Sequence, residues 1–224
     1  MVDAGIVCSA IHFIFDDNVK LASTYKEDIQ HSIFYNRAVI DLAADLNTKI
    51  IVVGGGNTRS VKPGQSREEI MKILVEIFAA SGDYAKERGV YLGIEALNRY
   101  ETNVIKTLKD SGEFAVKINC PNVKIMGDTY HMNIEETYLD DAIRNAGKEL
   151  IHLHLADSNR MAPGEGHIDF KKVFMALKDI KYEGFCSFEV FGITPELLYF
   201  INFQEASKHM EYGKKYVDEL LKHI

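Results

Sequence analysis

The sequence predicts a parallel α/β fold of the (β/α) barrel type, and three observations carry that prediction. Short apolar runs alternate with helical patterns six times along 224 residues. Those runs are apolar throughout rather than alternating, which is how parallel strands covered on both faces read. Four consecutive runs end in a side chain able to ligate a metal ion.

In chain order the strand-like runs are 5-GIVCSAI-11, 50-IIVVG-54, 90-VYLGIE-95, 123-VKIMGD-128, 150-LIHLHLAD-157 and 185-FCSFEV-190. Residues 26–46 read as the helix after the first of them. Ile70, Ile73, Leu74 and Ile77 mark one face of a helix, a core stripe and not a cofactor box. Ser66 with Glu69 three residues later forms a capping-box signature at its start. Phe170, Val173, Phe174 and Leu177 mark another helical face, with Asp169 as its cap. Residues 203–222 read as the closing helix. No linker, low-complexity tract or composition break interrupts the pattern, so residues 1–224 are expected to form a single (β/α) domain.

Six units pose a difficulty. A closed barrel needs eight and typically about 250 residues, whereas an open doubly wound sheet tolerates six. The strand ends decide. Glu95, Asp128, His154 and Glu189 follow one another at 33, 26 and 35 residues, each about one βα unit. In a barrel such ends converge on one point above the core, where these folds keep their chemistry. In an open sheet they would spread over roughly 15 Å at about 4.8 Å per strand.

One Asp at a strand end is commonly a helix cap or a solvated loop residue. Ligand-type residues in four successive units are not explained that way. Three carboxylates gathered without a cation would repel one another until some protonated. An oxygen-rich set with one imidazole and no thiolate suits one divalent ion, Mn, Mg or Co, better than zinc.

Composition removes several alternatives. The net charge of −7 makes the chain a poor electrostatic partner for nucleic acid or an anionic membrane. No apolar run approaches the roughly 18 residues of a membrane-spanning helix, and the N-terminus carries no signal-peptide pattern. Cys8, Cys120 and Cys186 lie far apart with no pair at metal-ligand spacing. They are expected as reduced thiols in a cytoplasmic protein.

The stretches 94-IEALNRYET-102, 127-GDTYHMNIEE-136, 152-HLHLADSNRMAPGEG-166 and 187-SFEV-190 together resemble the xylose isomerase-like TIM-barrel family. Within it, the match is to the D-tagatose and D-psicose 3-epimerases, and it runs from about residue 5 to the C-terminus. The resemblance implies a (β/α)8 TIM-barrel type fold that lacks the first two βα units, leaving six. It implies that Glu95, Asp128, His154 and Glu189 hold the metal, and that Glu95 and Glu189 act as acid and base. It further implies that Glu101, His131 and Arg160 hold a small sugar. The expected reaction is ketose 3-epimerisation by proton exchange through a cis-enediolate. An inosose isomerase or dehydratase, another sugar or sugar-phosphate isomerase of the family, and an inactive metal-binding remnant stay as alternatives. A DNA-repair endonuclease on the same fold would need more His ligands and a basic groove. An incomplete barrel exposes strand edges, so a homo-oligomer, dimer or tetramer, is expected.

The residues have plainer readings too. His131 can be a loop histidine without a role, and Arg160 a surface arginine in a Gly/Pro loop. Glu101, placed at the start of a helix, can merely favour the helix dipole. His152 points to the face of His154 one layer deeper and reads as a core residue. The glycines of 54-GGGNTRS-60 fit neither G-x-G-x-x-G nor the P-loop and read as a flexible loop over the site.

Overall fold

The computed structural model describes residues 4–13, 15, 18–191 and 203–224. The chain forms two compact units, Met1–Met126 and Gly127–Ile224.

In the first unit, β1 (Ile11–His12), β2 (Ile50–Val53), β3 (Tyr91–Glu95) and β4 (Val123–Asp128) run parallel in chain order, β4 carrying the chain across the boundary. Register runs from Ile50 opposite Tyr91 to Val53 opposite Ile94, and Glu95 stands opposite Met126. The connections are α1 (Lys26–Asp45), the short α2 (Gly56–Arg59), α3 (Arg67–Glu87) and α4 (Leu108–Ile118). α3 starts where the sequence indicates, with Ser66 Oγ accepting from the Glu69 N–H. α4 carries a full capping box between Thr107 and Asp110.

Ile51, Val53, Leu92 and Ile94 are buried with Ile40 of α1, Ile70, Leu74 and Ile77 of α3, and Phe114 of α4. Each such side chain contributes about 1.5–3 kcal/mol through removal from water. The rings of Phe78 and Phe114 meet edge to face at 6.1 Å. The buried Asn36 of α1 donates to Ser81 Oγ of α3 at 3.0 Å.

The second unit pairs β5 (Leu150–Leu155) with β6 (Phe185–Phe188) in parallel, from His152 opposite Phe185 to Leu155 opposite Phe188. Its helices are α5 (Thr129–Glu135), α6 (Leu139–Ala146), α7 (Phe170–Asp179) and α8 (Phe203–Leu221). Asp169 caps α7 by accepting from the Lys172 N–H at 3.2 Å. Leu153, Leu155, Phe170, Val173 and Leu177 are buried, and Tyr216 of α8 meets the Phe170 ring edge to face at 6.3 Å.

Two strand expectations need correction. The run 5–11 was expected as a buried strand, but only Ile11 and His12 pair, while Ile6 and Val7 are 59% and 74% exposed. The run 185–190 pairs only over Phe185–Phe188, and Phe185 is 52% exposed. Among the described residues β1 has β2 as its partner and β6 has β5. Apolar content marks a strand but does not supply the second neighbour that buries it. Every βα unit nonetheless follows the parallel order expected, and the chain has the fold class of a TIM-type barrel with six such units. Among the described residues no helix is long and apolar enough to cross a membrane.

Candidate functional site

In the second unit the candidate residues converge. Asp128, the last residue of β4, is fully buried. Its Oδ1 caps α5, accepting from the Tyr130 N–H at 2.8 Å and the His131 N–H at 3.4 Å. Its Oδ2 lies 2.6 Å from Arg160 Nη1 and 3.8 Å from His154 Nδ1. Cap and ligand therefore do not compete at this position, because each oxygen serves a different partner.

Glu189 follows β6 directly, its N–H donating to the Leu155 carbonyl at 3.1 Å. Glu189 Oε2 accepts from Arg160 Nη2 at 2.7 Å and lies 2.7 Å from His154 Nδ1. One ligand atom each from Asp128, His154 and Glu189 lies within 4.8 Å of the others. Burial raises the pKa of the Asp128 carboxyl. Arg160, then His131, a hydrogen bond with Glu189 and His154 outweigh that and hold it below the ordinary aspartate value.

Arg160 is buried, not a surface arginine. Its backbone is left-handed, φ 63°, a conformation that costs a non-glycine residue about 1–2 kcal/mol. The turn is held by the Arg160 N–H donating to the Asp157 carbonyl at 2.9 Å, and by the Asp157 N–H donating to the Met161 carbonyl at 2.8 Å. The Asp157 carboxylate accepts from the N–H groups of Ser158, Gly164 and Ile168 and so organises the loop. The guanidinium sits between the rings of Tyr130 and Phe191, 4.7 Å from each centroid.

His131 lies in α5 and not in a loop, 2% exposed and edge-on to Tyr130 at 5.4 Å. His152 is buried one layer below His154, the two rings edge to face at 5.3 Å. Thr129, which the sequence did not single out, stitches the two strand ends. Its Oγ1 donates to the Ala156 carbonyl at 2.6 Å and accepts from the Ala156 N–H at 2.9 Å.

In the first unit, Glu95 is the last residue of β3 and is 1% exposed. Its Oε2 lies 3.4 Å from His12 Nε2 at the end of β1. Gly54 makes this approach possible, since a Cβ there would meet His12 Cε1 at 2.7 Å and Glu95 Oε2 at 2.9 Å. The segment 54–60 is thus not a flexible loop. It turns at Gly55, φ 76°, into α2 and delivers Arg59 into the interior. Arg59 Nη2 donates to the Glu95 carbonyl at 2.6 Å and Nη1 to the Val53 carbonyl at 3.3 Å. Burial lowers the Arg59 pKa to about 10 against the pull of Glu95 and Glu101.

Glu101 is exposed and lies in a turn, not at a helix start, because Asn98 closes that turn. The Asn98 side chain accepts from the Tyr100 N–H at 2.9 Å, and its carbonyl accepts from the Glu101 N–H at 3.0 Å. Sequence reasoning missed His12 and Arg59. For His12 the available signal was an imidazole just past the first apolar run. For Arg59 it was one cation among small residues after a strand.

The donor chemistry fits a hard divalent ion. One imidazole nitrogen and two carboxylate oxygens face one another in the second unit, and a guanidinium already places positive charge against both carboxylates. Asp128, His154 and Glu189 are the residues of that unit that could hold it.

The sequence model of the xylose isomerase-like TIM barrel family matches residues 1–216. A D-psicose 3-epimerase of Enterocloster bolteae is 48% identical over 107 residues, covering 48% of this chain and 36% of that enzyme. A D-psicose 3-epimerase of Agrobacterium fabrum is 43% identical over 120 residues, covering 54% of this chain and 42% of that enzyme. These matches span less than half the length of the curated relatives. Among solved structures, a D-psicose 3-epimerase crystallised in the presence of D-fructose superposes with a TM-score of 0.86 at 27% identity. That superposition covers 98% of this chain and 80% of the other.

Proposed function

This chain belongs to the xylose isomerase-like TIM-barrel family, and from that premise we propose that it is a divalent-metal-dependent ketose 3-epimerase. The observation that carries the proposal is the approach of Asp128, His154 and Glu189 ligand atoms to within 4.8 Å at strand ends. Glu95 is the fourth ligand. What supports it is its place as the last residue of a parallel strand, as Asp128 is of β4. The ion is Mn by preference, with Co or Mg able to serve. When bound, it would polarise the ketose carbonyl and lower the energy of the enediolate.

The chain's own residues do the rest. Glu95 removes the proton at C3 from one face of the sugar, and Glu189 returns one to the opposite face, so that C3 inverts. His131, held in the first turn of α5, and Arg160, stacked between two rings, donate to sugar oxygens. Glu101 accepts from a sugar hydroxyl. Relatives named D-psicose 3-epimerase and L-ribulose 3-epimerase support a ketose as the substrate class.

The test is proton exchange. The protein loaded with Mn2+ is incubated in heavy water with a panel of free ketoses and followed by NMR. Deuterium at C3 with appearance of the epimer is expected. Deuterium at C1 with an aldose product would instead make it an aldose–ketose isomerase. No exchange from any ketose by the metal-loaded protein would sink the proposal.

A further inference from the structure

We propose that Arg59 is the positioning residue for Glu95, fixing the end of β3 so that the Glu95 carboxylate is presented in one geometry. The inference rests on Glu95 being a ligand and proton-transfer group as proposed above. Arg59 is 1% exposed and is the bulkiest fully buried side chain among the described residues. Removing a guanidinium from water costs several kcal/mol even after relaxation, so a neutral donor would serve better if the only task were to tie two strands together. The arginine has a particular arrangement. Its two terminal nitrogens reach the carbonyls of Val53 and Glu95, the residues that end two adjacent strands. Those carbonyls lie where the β2–β3 ladder runs out, the last paired residues being Val53 and Ile94. The fork therefore replaces the ladder at its C-terminal end.

The surroundings point the same way. Arg59 lies on α2, and Gly55 in left-handed backbone starts that helix one residue after Gly54. Gly54 is the position whose missing Cβ leaves room for Glu95 Oε2 and the His12 ring. One short segment thus clears the space for the Glu95 carboxylate and holds the Glu95 backbone. A planar two-pronged donor does this where a lysine, a single point of charge, cannot reach both carbonyls.

The test uses the whole chain with Arg59→Met, Arg59→Lys and Arg59→Ala. Mn2+ affinity is measured by calorimetry, kcat and KM by ketose exchange, and folding by circular dichroism. Arg59→Met is expected to weaken Mn2+ binding about 10- to 100-fold, the range for residues that orient metal ligands, and to lower kcat with KM little changed. Arg59→Lys is expected to recover only part of the loss. Added guanidinium should restore Mn2+ affinity to Arg59→Ala. Folded variants with wild-type Mn2+ affinity and kcat would overturn the inference. If Arg59→Met does not fold, Arg59→Lys decides, and wild-type behaviour there overturns it equally. A wild-type chain that binds Mn2+ but exchanges no ketose proton overturns the epimerase reading alone, and Arg59 is then judged on the Mn2+ affinities.

Discussion

Glu95 and Asp128 are both carboxylates at the ends of parallel strands, and both are buried, yet they are held in opposite ways. Asp128 is fixed through its side chain, with backbone N–H groups on one oxygen and Arg160 on the other. Glu95 is fixed through its backbone, whose carbonyl accepts from Arg59, while its carboxylate lies beside the His12 ring. The first arrangement makes the carboxylate part of a charge network. The second fixes the strand end and sets the carboxylate beside an imidazole. Under the proposed roles Asp128 ligates only, which a fixed carboxylate suits, while Glu95 and Glu189 ligate and also exchange a proton.

The largest expected effect separates the two directly. Asp128→Ala leaves Arg160 buried with one carboxylate fewer and removes the α5 cap, so the metal-free protein should lose roughly 3–5 kcal/mol, the cost of breaking a buried pair. Glu95→Gln keeps the backbone contacts and should lose much less, while abolishing ketose exchange. Urea unfolding of both variants is the measurement. Equal losses would mean that the Glu95 carboxylate is as deeply networked as that of Asp128.

The same contrast has a pH signature. The folded-state pKa of Asp128 lies below the ordinary aspartate value. Its contribution is therefore fully present above the unfolded value of about 3.9 and is lost as pH falls through the lower folded value. The metal-free wild type should weaken over that acid window, and Asp128→Asn should flatten the stability profile there. An unchanged acid limb in Asp128→Asn would show that other carboxylates set it.

Next in size is Gly54→Ala. The new methyl would fall 2.7 Å from the His12 ring and 2.9 Å from Glu95 Oε2, so one of them must move. Overpacking of this kind costs about 1–3 kcal/mol. The expected result is a modest fall in melting temperature with a disproportionate fall in kcat. Unchanged kcat would mean that His12 swings aside and Glu95 stays where it is.

Much of this was legible in the sequence. Six apolar runs at βα spacing gave the parallel order, and four of them ended in carboxylates or an imidazole because a strand end is where the backbone leaves the core. What the sequence hid depended on neighbours. Residues 5–11 and 185–190 are as apolar as the inner strands, but each pairs on one side among the described residues, so their exposure was not written in their composition. Arg59 looked like a loop cation because no local pattern tells that a Gly-Gly-Gly turn will drive it inward. Asp128 looked like a choice between cap and ligand because one letter does not reveal that the two oxygens face different partners. Glu101 was displaced from a helix start by Asn98, whose side chain and carbonyl close a turn first.

The smallest effect concerns how the Arg160 loop is braced, compared with the α2 turn that carries Arg59. The α2 turn is anchored by a buried guanidinium. The loop 157–168 is anchored internally by Asp157 and from outside by α8. There His209 Nδ1 lies 2.7 Å from Glu165 Oε1, while Glu165 Oε2 accepts from the Ala162 N–H at 3.0 Å. Tyr212 adds a hydrogen bond to the Gly164 carbonyl at 3.2 Å. The His209 and Glu165 side chains are 30% and 23% exposed, so their pairing is screened. His209→Ala should cost only about 0.2–1 kcal/mol. If α8 does no more than shield the loop, KM for the ketose will stay at the wild-type value as the melting temperature falls slightly. If the brace sets where Arg160 stands, KM will rise while kcat holds, because the role proposed for Arg160 is to grip the sugar and not to take a proton. A stability loss of several kcal/mol would break the comparison, placing His209 within the core of the second unit instead of on the brace.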